Sequence, residues 1–463
     1  MQLPASLKVP KGMKPVLPTD AGFLLLEKRN QPMHVGGLIL ATPPKGARKD
    51  FITKLIRSTM EFDQPHPPFN QRLRRRAGIW FWEEDKDFDI EAHVHHLSLP
   101  APGRIRELLT LVSKLHSSLM DRSRPLWEVY IIEGVEGNRI AMYTKLHHAM
   151  VDGVAAMRMM QRATSEDPNA VVIPLWAQEP KQRGRSRPLE KANPLQLLVE
   201  TANTLRETSG SARRVATELL KAVKSRRNDP DFVSVYQAPK SIFNQRITGG
   251  RRFAAQSWPL DRIKAAGKRH DATLNDVVLA MCASALRKYL IEINELPKKP
   301  LIAMVPVSMR KDDSASGNQV AMLLANLGTH QADPIERLNT IIRSMNNGKE
   351  RFSRMSQGEI MAYLSAIMAA HSINMVLGIA PSWQAFNIVI SNVPGPRNTV
   401  YLNGARIDGS YPMSIPIDGS AMNITLNSYA GNLDFGIIGC RRSVPHLQRL
   451  LQYLEEGLAE LEQ

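Results

Sequence analysis

The most informative hydrophobic pattern in the chain spans residues 139–163. Ile140, Met142 and the Tyr143/Thr144 pair give Arg139–Lys145 the alternation of a buried strand. After a short turn, Val154, Met157 and Met160 recur at the spacing of one helix face over Gly153–Ala163. Upstream, Leu17–Glu27 turns into an apolar helix with Thr19 or Asp20 as N-cap. Val35–Ala41 reads as a strand, Lys49–Met60 as an amphipathic helix, Phe88–Leu99 as a strand and Arg104–Met120 as a helix. Asp121–Pro125 breaks that helix, and the strand expected over Trp127–Glu133 pairs with Arg139–Lys145 across Gly134–Asn138.

The second half shows the same mixture. Arg252–Pro259 alternates as a strand and Leu260–Lys268 is helical. Thr273 caps a long helix whose first turn holds Asn275 and Asp276, where free N–H groups favour negative charge. Leu301–Val307, Gln319–Leu327 and Phe386–Ile390 read as strands, Met422–Tyr429 and Leu433–Ile438 as a hairpin around Gly431-Asn432, and Pro445–Leu461 as a closing helix. Ile360–Pro396 carries no charge, but polar residues and Pro381 interrupt it before an apolar run long enough to span a bilayer accumulates. A buried helix is expected there, with Met361, Met368 and Met375 on one face as core or as the lining of an apolar pocket.

At 463 residues the chain exceeds one hydrophobic core. The expected organisation is 1–180, a basic helical linker over 181–238, and 239–463. The net charge is +16, and residues 181–228 hold twelve basic side chains against four glutamates. Two amphipathic helices in that segment, around Leu195–Leu205 and Val215–Val223, tether the domains or meet an anionic lipid surface. The stretch lacks interleaved aromatics, so nucleic acid is not an expected partner. Two cysteines and no apolar leader predict a cytoplasmic protein without a disulfide framework. Arg72, Arg74, Arg75 and Arg76 read as a solvated turn. His93, His95 and His96 are expected to be structural, since no nearby Cys or Glu completes a metal set.

The candidate chemistry lies at the strand-to-helix turn, Lys145-Leu146-His147-His148-Ala149-Met150-Val151-Asp152-Gly153. Imidazole accepts a proton near neutrality, and neighbours leaving a strand point to opposite sides, so one of His147 and His148 is expected to face substrate. There is no Gly-x-Ser-x-Gly elbow, Walker A, Gly-x-Gly-x-x-Gly or His-Glu-x-x-His pattern.

His147-His148-x-x-x-Asp152-Gly153 resembles the signature of the CoA-dependent acyltransferase superfamily that includes chloramphenicol acetyltransferase and the condensation domains. Pro125-Leu126-Trp127-Glu128, Asn275-Asp276, Ser391-Asn392-Val393-Pro394-Gly395-Pro396, Asp20-Ala21-Gly22-Phe23 and Pro32-Met33-His34-Val35-Gly36 resemble, more narrowly, the bacterial wax ester synthase/diacylglycerol acyltransferases. Asp434-Phe435-Gly436 resembles the superfamily's structural motif, although Ile437-Ile438-Gly439 departs from the usual aromatic.

The resemblance implies an α/β chain of two chloramphenicol-acetyltransferase-like domains, each a mixed sheet flanked by helices, with a tunnel between them. It implies transfer of a long-chain acyl group from acyl-CoA, a co-substrate rather than a cofactor, to a fatty alcohol or diacylglycerol. The protein would be peripherally associated with a membrane or lipid inclusion. It implies His148 as general base without an acyl-enzyme, and Asp152 as a structural residue paired with arginine, for which Arg124 and Arg310 are candidates. Asn275 is favoured for the oxyanion, with Ser391 and Asn392 next. Gly153, Trp127, Asp276, Ser308 and Arg310 complete the substrate-binding candidates, Ser308 and Arg310 toward the CoA phosphates and Trp127 as core or cleft wall. No metal is expected. The competing expectations are a superfamily acyltransferase with a polar or amine acceptor, and a non-catalytic lipid binder on this fold.

Overall fold

The computed structural model describes residues 12–48, 50–76, 78–151, 153–179, 233, 237–308, 320–355, 359–360, 363 and 384–463. The expected linker helices, the stripe of Met361, Met368 and Met375, Asp152 and Arg310 lie outside them. Two compact units form. The first comprises Met1–Thr208 with Gly395–Ser410, and the second Ser209–Pro394 with Tyr411–Gln463. The excursion of 395–410 into the first unit departs from the simple split into an N-terminal and a C-terminal half.

The first unit holds a three-stranded antiparallel sheet, β1 (Met13–Pro15), β4 (Ile79–Glu84) and β3 (Gln71–Arg76), in the order β1-β4-β3. The arginines expected in a turn therefore lie on a strand, where Arg72 reaches Glu83 at 3.1 Å and Asp85 at 3.2 Å. The larger sheet runs β12 (Tyr401–Leu402), β13 (Ala405–Met413), β2 (His34–Thr42), β7 (Arg139–His147), β6 (Trp127–Val135), β5 (Val94–Ser98). Helices α1 (Pro18–Leu26), α2 (Phe51–Met60), α3 (Ile105–Ser117) and α4 (Gly153–Arg162) belong to this unit. The N-cap of α1 is Leu17 rather than Thr19 or Asp20, because Pro18, with φ preset for the helix, opens it.

Register decides what each face of this sheet carries. β2 and β7 pair antiparallel with His34 opposite His147, Gly36 opposite Lys145 and Leu38 opposite Tyr143. β6 and β7 pair with Glu128 opposite Lys145 and Tyr130 opposite Tyr143. With a side-chain period of two, His147, Lys145 and Tyr143 share one face with Glu128, Tyr130 and His34. Leu146 and Met142 face the other way, into an apolar cluster with Trp127, Val151, Ala156 and Trp176.

The second unit is a six-stranded mixed sheet of β8 (Arg251–Pro259), β9 (Ile302–Ser308), β10 (Val320–Asn326), β11 (Ile388–Pro394), β14 (Met422–Tyr429) and β15 (Asn432–Cys440), in the order β10-β9-β11-β14-β15-β8. It carries α5 (Leu260–Arg269), α6 (Leu274–Glu292), α7 (Pro334–Ser353) and α8 (Arg449–Glu462). Thirteen of the nineteen residues of α6 are buried, so it is the central helix of this core. The expected hairpin is β14–β15, and its Asp434 accepts a 2.6 Å hydrogen bond from Ser257 Oγ. Two residues on, a Cβ at Gly436 would lie 1.9 Å from the Pro412 carbonyl oxygen, which gives that motif a packing reason.

Gly36 plays the corresponding part in the first unit. A Cβ there would meet the fully buried Tyr143 ring at 2.8 Å and the Thr144 carbonyl oxygen at 3.2 Å. Gly36→Ala is therefore expected to destabilise by about 1–3 kcal/mol. Gly22→Ala, in α1 with nothing within 4 Å, is expected to be neutral or to gain up to about 1 kcal/mol. Paired urea unfolding curves check the contrast, and equal effects would refute it.

Candidate active site

The last residue of β7 and the turn after it are tied down from three directions. The His147 N–H donates to the Leu126 carbonyl at 3.0 Å, the His148 N–H donates to the Met33 carbonyl at 2.9 Å, and the Met150 N–H closes the turn onto the His147 carbonyl at 2.9 Å. Leu126 lies in Pro125-Leu126-Trp127 and Met33 in Pro32-Met33-His34, so two of the motifs are backbone anchors of the two histidines.

The histidines differ in surroundings, as alternation at the strand end requires. His147 is fully buried. Its Nδ1 accepts the Ala149 N–H at 3.1 Å, which leaves the proton on Nε2, 3.3 Å from Glu27 Oε1. His148 is half-buried, and its ring stacks on Phe23 of α1 with centroids 4.1 Å apart and planes 21° apart. Its imidazole is the one with surface to offer.

Glu27 was not among the residues singled out from sequence, and Phe23 entered only as the last residue of Asp20-Ala21-Gly22-Phe23. Both belong to the segment built on α1, some 120 positions before the histidines and one helical turn apart, so one short helix serves both rings. The Glu27 side chain is only 3% exposed. Its Oε1 accepts the Met33 N–H at 3.2 Å, and its Oε2 accepts Arg122 Nε at 3.0 Å and Nη2 at 2.8 Å. Burial alone would raise this carboxyl, yet His147, the Met33 N–H and Arg122 together bring it down from 4.5 to about 2. Met33 thus bridges the pair, donating to Glu27 and accepting from His148.

Polar side chains continue along the same sheet face. Lys145 Nζ lies 3.0 Å from Glu128 Oε2, which also accepts the Tyr130 hydroxyl at 2.7 Å. Burial pulls Lys145 below the usual lysine range while Glu128 opposes it. His34 Nε2 lies 2.9 Å from the His116 carbonyl, and His116 Nδ1 lies 2.7 Å from the Tyr143 hydroxyl. Burial, with the neighbouring His116 and Lys145 charges, holds His34 well below the ordinary histidine value, so it stays neutral.

The remaining sequence candidates divide between the units. Gly153 begins α4, directly after the turn. Trp127 is fully buried rather than a cleft wall. It stacks on His93 and Trp176, and its indole N–H donates to the Phe69 carbonyl at 2.8 Å. His93 Nδ1 lies 2.7 Å from the Trp127 carbonyl, a structural role. In the second unit Asn275 is half-buried in the first turn of α6. Asp276 closes a capping box, its Oδ2 accepting the Thr273 N–H at 3.0 Å and the Thr273 hydroxyl at 2.5 Å. Ser391 and Asn392 are half-buried on β11, opposite Thr425 and Leu426 of β14. β11 pairs with β9 at Ile388 and Val389 but no further among the described residues, and Ser308 ends β9.

The family model of the wax ester synthase/diacylglycerol acyltransferase catalytic domain matches residues 16–278, and that of the family's C-terminal domain matches 316–462. The chain belongs to this family. It is an acyltransferase. The chain is 47% identical to the O-acyltransferase WSD of Acinetobacter baylyi, over 96% of both chains. It is also 47% identical to a probable diacylglycerol O-acyltransferase of Mycobacterium tuberculosis H37Rv, over 97% of this chain and 98% of that one. The structure of the wax ester synthase/diacylglycerol acyltransferase of Marinobacter aquaeolei VT8 superposes with a TM-score of 0.80 at 46% identity, covering 97% of this chain and 98% of that one. A condensation domain of the calcium-dependent antibiotic synthetase, at TM-score 0.59 and 14% identity, shares the fold, so the expected chloramphenicol-acetyltransferase-like architecture holds. Among the described residues of this acyltransferase, no helix is long and apolar enough to cross a membrane.

Because folding lowers the Glu27 carboxyl, its contribution to stability is whole above about pH 4.5 and is lost as pH falls toward 2. Glu27→Gln is expected to cost about 3 kcal/mol near neutrality. The gap to the parent protein should close between pH 4.5 and about 2. Denaturant unfolding of both proteins across that range tests this, and a pH-independent gap would contradict it.

Proposed function

We propose that the protein moves a long-chain acyl group from acyl-CoA directly onto the hydroxyl of a fatty alcohol or diacylglycerol, giving a wax ester or triacylglycerol, with His148 as general base. The observation that carries this reading is the contrast within the histidine pair. One ring is buried, with its tautomer set by Ala149 and Glu27, and the other is half-buried on an aromatic face at the end of a rigid strand. The relatives' names supply the acyl transfer and the two acceptor classes.

In the proposed reaction His148 takes the acceptor's hydroxyl proton while the oxygen attacks the thioester carbonyl. The tetrahedral intermediate then expels the CoA thiolate, which recovers the proton from the imidazolium. General-base help of this kind contributes roughly 10²–10⁴-fold. The face of Phe23 against the ring favours the imidazolium as it forms. No enzyme nucleophile is invoked, and Cys282 and Cys440 are both fully buried. Oxyanion donation is assigned to Asn275, with Ser391 and Asn392 as further donors, and Ser308 and Arg310 to the CoA phosphates. Asp152 is assigned to holding the turn. Acyl-CoA is a co-substrate, and this chemistry calls for no cofactor. Residues 181–228, with their net positive charge, are assigned to peripheral contact with an anionic membrane or lipid-inclusion surface.

His148→Ala is expected to lower kcat for hexadecanol with palmitoyl-CoA by about 10²–10⁴-fold, with an unchanged melting temperature and no acyl-enzyme trapped by acid quench. Near-parent turnover, or a covalent acyl adduct, would overturn the mechanism. Phe23→Leu is expected to lower kcat by about three- to tenfold with little change in KM, and Phe23→Tyr to restore it. An effect confined to KM would argue against the stacked ring having this role.

A further inference from the structure

On the face of β7 opposite the polar side chains lies a small, partly open cavity of about 40 Å³. Leu55 of α2, Ile131 of β6, Met142 of β7, Ala163 at the end of α4, and Leu175 and Trp176 beyond it wall this space. All belong to the first unit. Three polar groups on its lining are hydrogen-bonded within the protein. The Thr59 hydroxyl donates to the Leu55 carbonyl at 2.7 Å, the Trp176 indole N–H donates to the Phe62 carbonyl at 2.8 Å, and Asn403 Oδ1 accepts the Val172 N–H at 2.7 Å. The rest of the lining is apolar, and such a surface favours hydrocarbon over water. The cavity's size admits roughly two or three water-sized spheres, or the last few carbons of a chain.

Its position relates it to the histidine turn. Met142 lies on β7 six residues before His148, which follows the strand's last residue, roughly 20 Å at 3.3 Å per residue. α4 starts at Gly153 just after the turn and ends at Arg162 beside Ala163. Both elements that leave the histidines therefore lead to the cavity. The thioether tip of Met160 lies against β2, where a Cβ on Gly37 would meet it at 3.0 Å, and Met142 is half-buried beside the cavity. Methionine has three rotatable bonds and repacks at low cost, so these side chains can yield to a chain threaded between α4 and the sheet.

We propose that this cavity is the blind end of an aliphatic-chain site inside the first unit. It receives the terminal carbons of a long saturated chain whose reacting end sits at His148, and its depth sets chain-length preference. The inference rests on His148 being the reacting centre. The chain is either the acyl group or the alcohol's alkyl group, and the assay distinguishes them.

Full-length Ala163→Leu, which fills the cavity, and Leu55→Ala, which enlarges it, are compared with the parent protein. One series runs decanoyl- to octadecanoyl-CoA with hexadecanol, and the other runs decanol to octadecanol with palmitoyl-CoA. Ala163→Leu is expected to lower kcat/KM for the longest relative to the shortest chain by about tenfold or more in one series alone. Leu55→Ala should move the optimum of that same series to longer chains. The series that responds identifies the occupant. Folded variants with unshifted profiles in both series would overturn the proposal. As a readout independent of turnover, 16-bromohexadecanoic acid should quench tryptophan fluorescence more than the 2-bromo isomer, and Ala163→Leu should erase the difference. Equal quenching by the two isomers in the parent protein would also refute it. If His148→Ala keeps its activity while the terminal bromine still quenches selectively, the general-base reading fails and the cavity's ligand class stands.

Discussion

A buried carboxylate is unstable unless its charge is met, and the first unit is arranged around meeting the charge of Glu27. Four separate pieces of chain converge on it: the end of α1, which supplies the acid; Met33, through its N–H; Arg122, through two nitrogens; and His147, through the Nε2 face. Removing any one leaves part of a desolvated charge uncompensated, which is far more costly than losing a surface ion pair. The consequence is positional. Met33 answers Glu27 with its N–H and His148 with its carbonyl, so the group that neutralises the acid also fixes the backbone of the second histidine. α1 contributes again through Phe23, one helical turn before Glu27, which supplies the surface against which that imidazole lies.

β7 separates two kinds of environment by the simplest device available to a strand, its period of two. Tyr143, Lys145 and His147 face one side, where Glu128, Tyr130, His116 and His34 provide polar partners. Met142 and Leu146 face the other side, into an apolar cluster with Trp127 and Trp176. A slip of one residue between β2 and β7 would exchange the two sets and place Lys145 in hydrocarbon. The register is thus enforced by electrostatics on one side and by exclusion of water on the other.

The histidine turn was legible in sequence because it is local. A period-two run, two imidazoles and a period-3.6 run follow one another within 25 residues, and the structure has β7, the turn and α4 where that pattern puts them. The Thr273 cap and the β14–β15 hairpin were legible for the same reason. Glu27 was not. The one available signal was an acid placed directly after the apolar run Phe23–Leu26 and shortly before Pro32-Met33-His34, and nothing local says that its partner is His147. Of the two roles left open for Trp127, core or cleft wall, sequence alone could not choose, and the structure has it in the core. Its neighbours in space, His93 and Trp176, lie 34 and 49 residues away in sequence. The strand character of Arg72–Arg76 and the passage of 395–410 into the first unit depend on pairing between distant segments, which leaves little trace in composition.

The chemistry proposed for this site asks for opposite qualities at the two ends of one substrate. At the reacting end a proton has to move, and that requires an imidazole whose orientation does not drift. The polar scaffold on one face of β7 supplies this rigidity. Along the rest of the substrate no group can form a hydrogen bond, and affinity rises with each methylene withdrawn from water, by about 0.8 kcal/mol. Such a ligand is best met by side chains with no polar demand of their own and enough torsional freedom to close around it. Methionines on the apolar face fulfil both conditions without disturbing the hydrogen bonds on the reverse of the same strand. Because strand alternation already isolates the two faces, lengthening or shortening the apolar site through Ala163 or Leu55 leaves the contacts of Glu27, Met33 and His147 untouched. Substrate length and proton transfer are in this sense separable properties of one sheet.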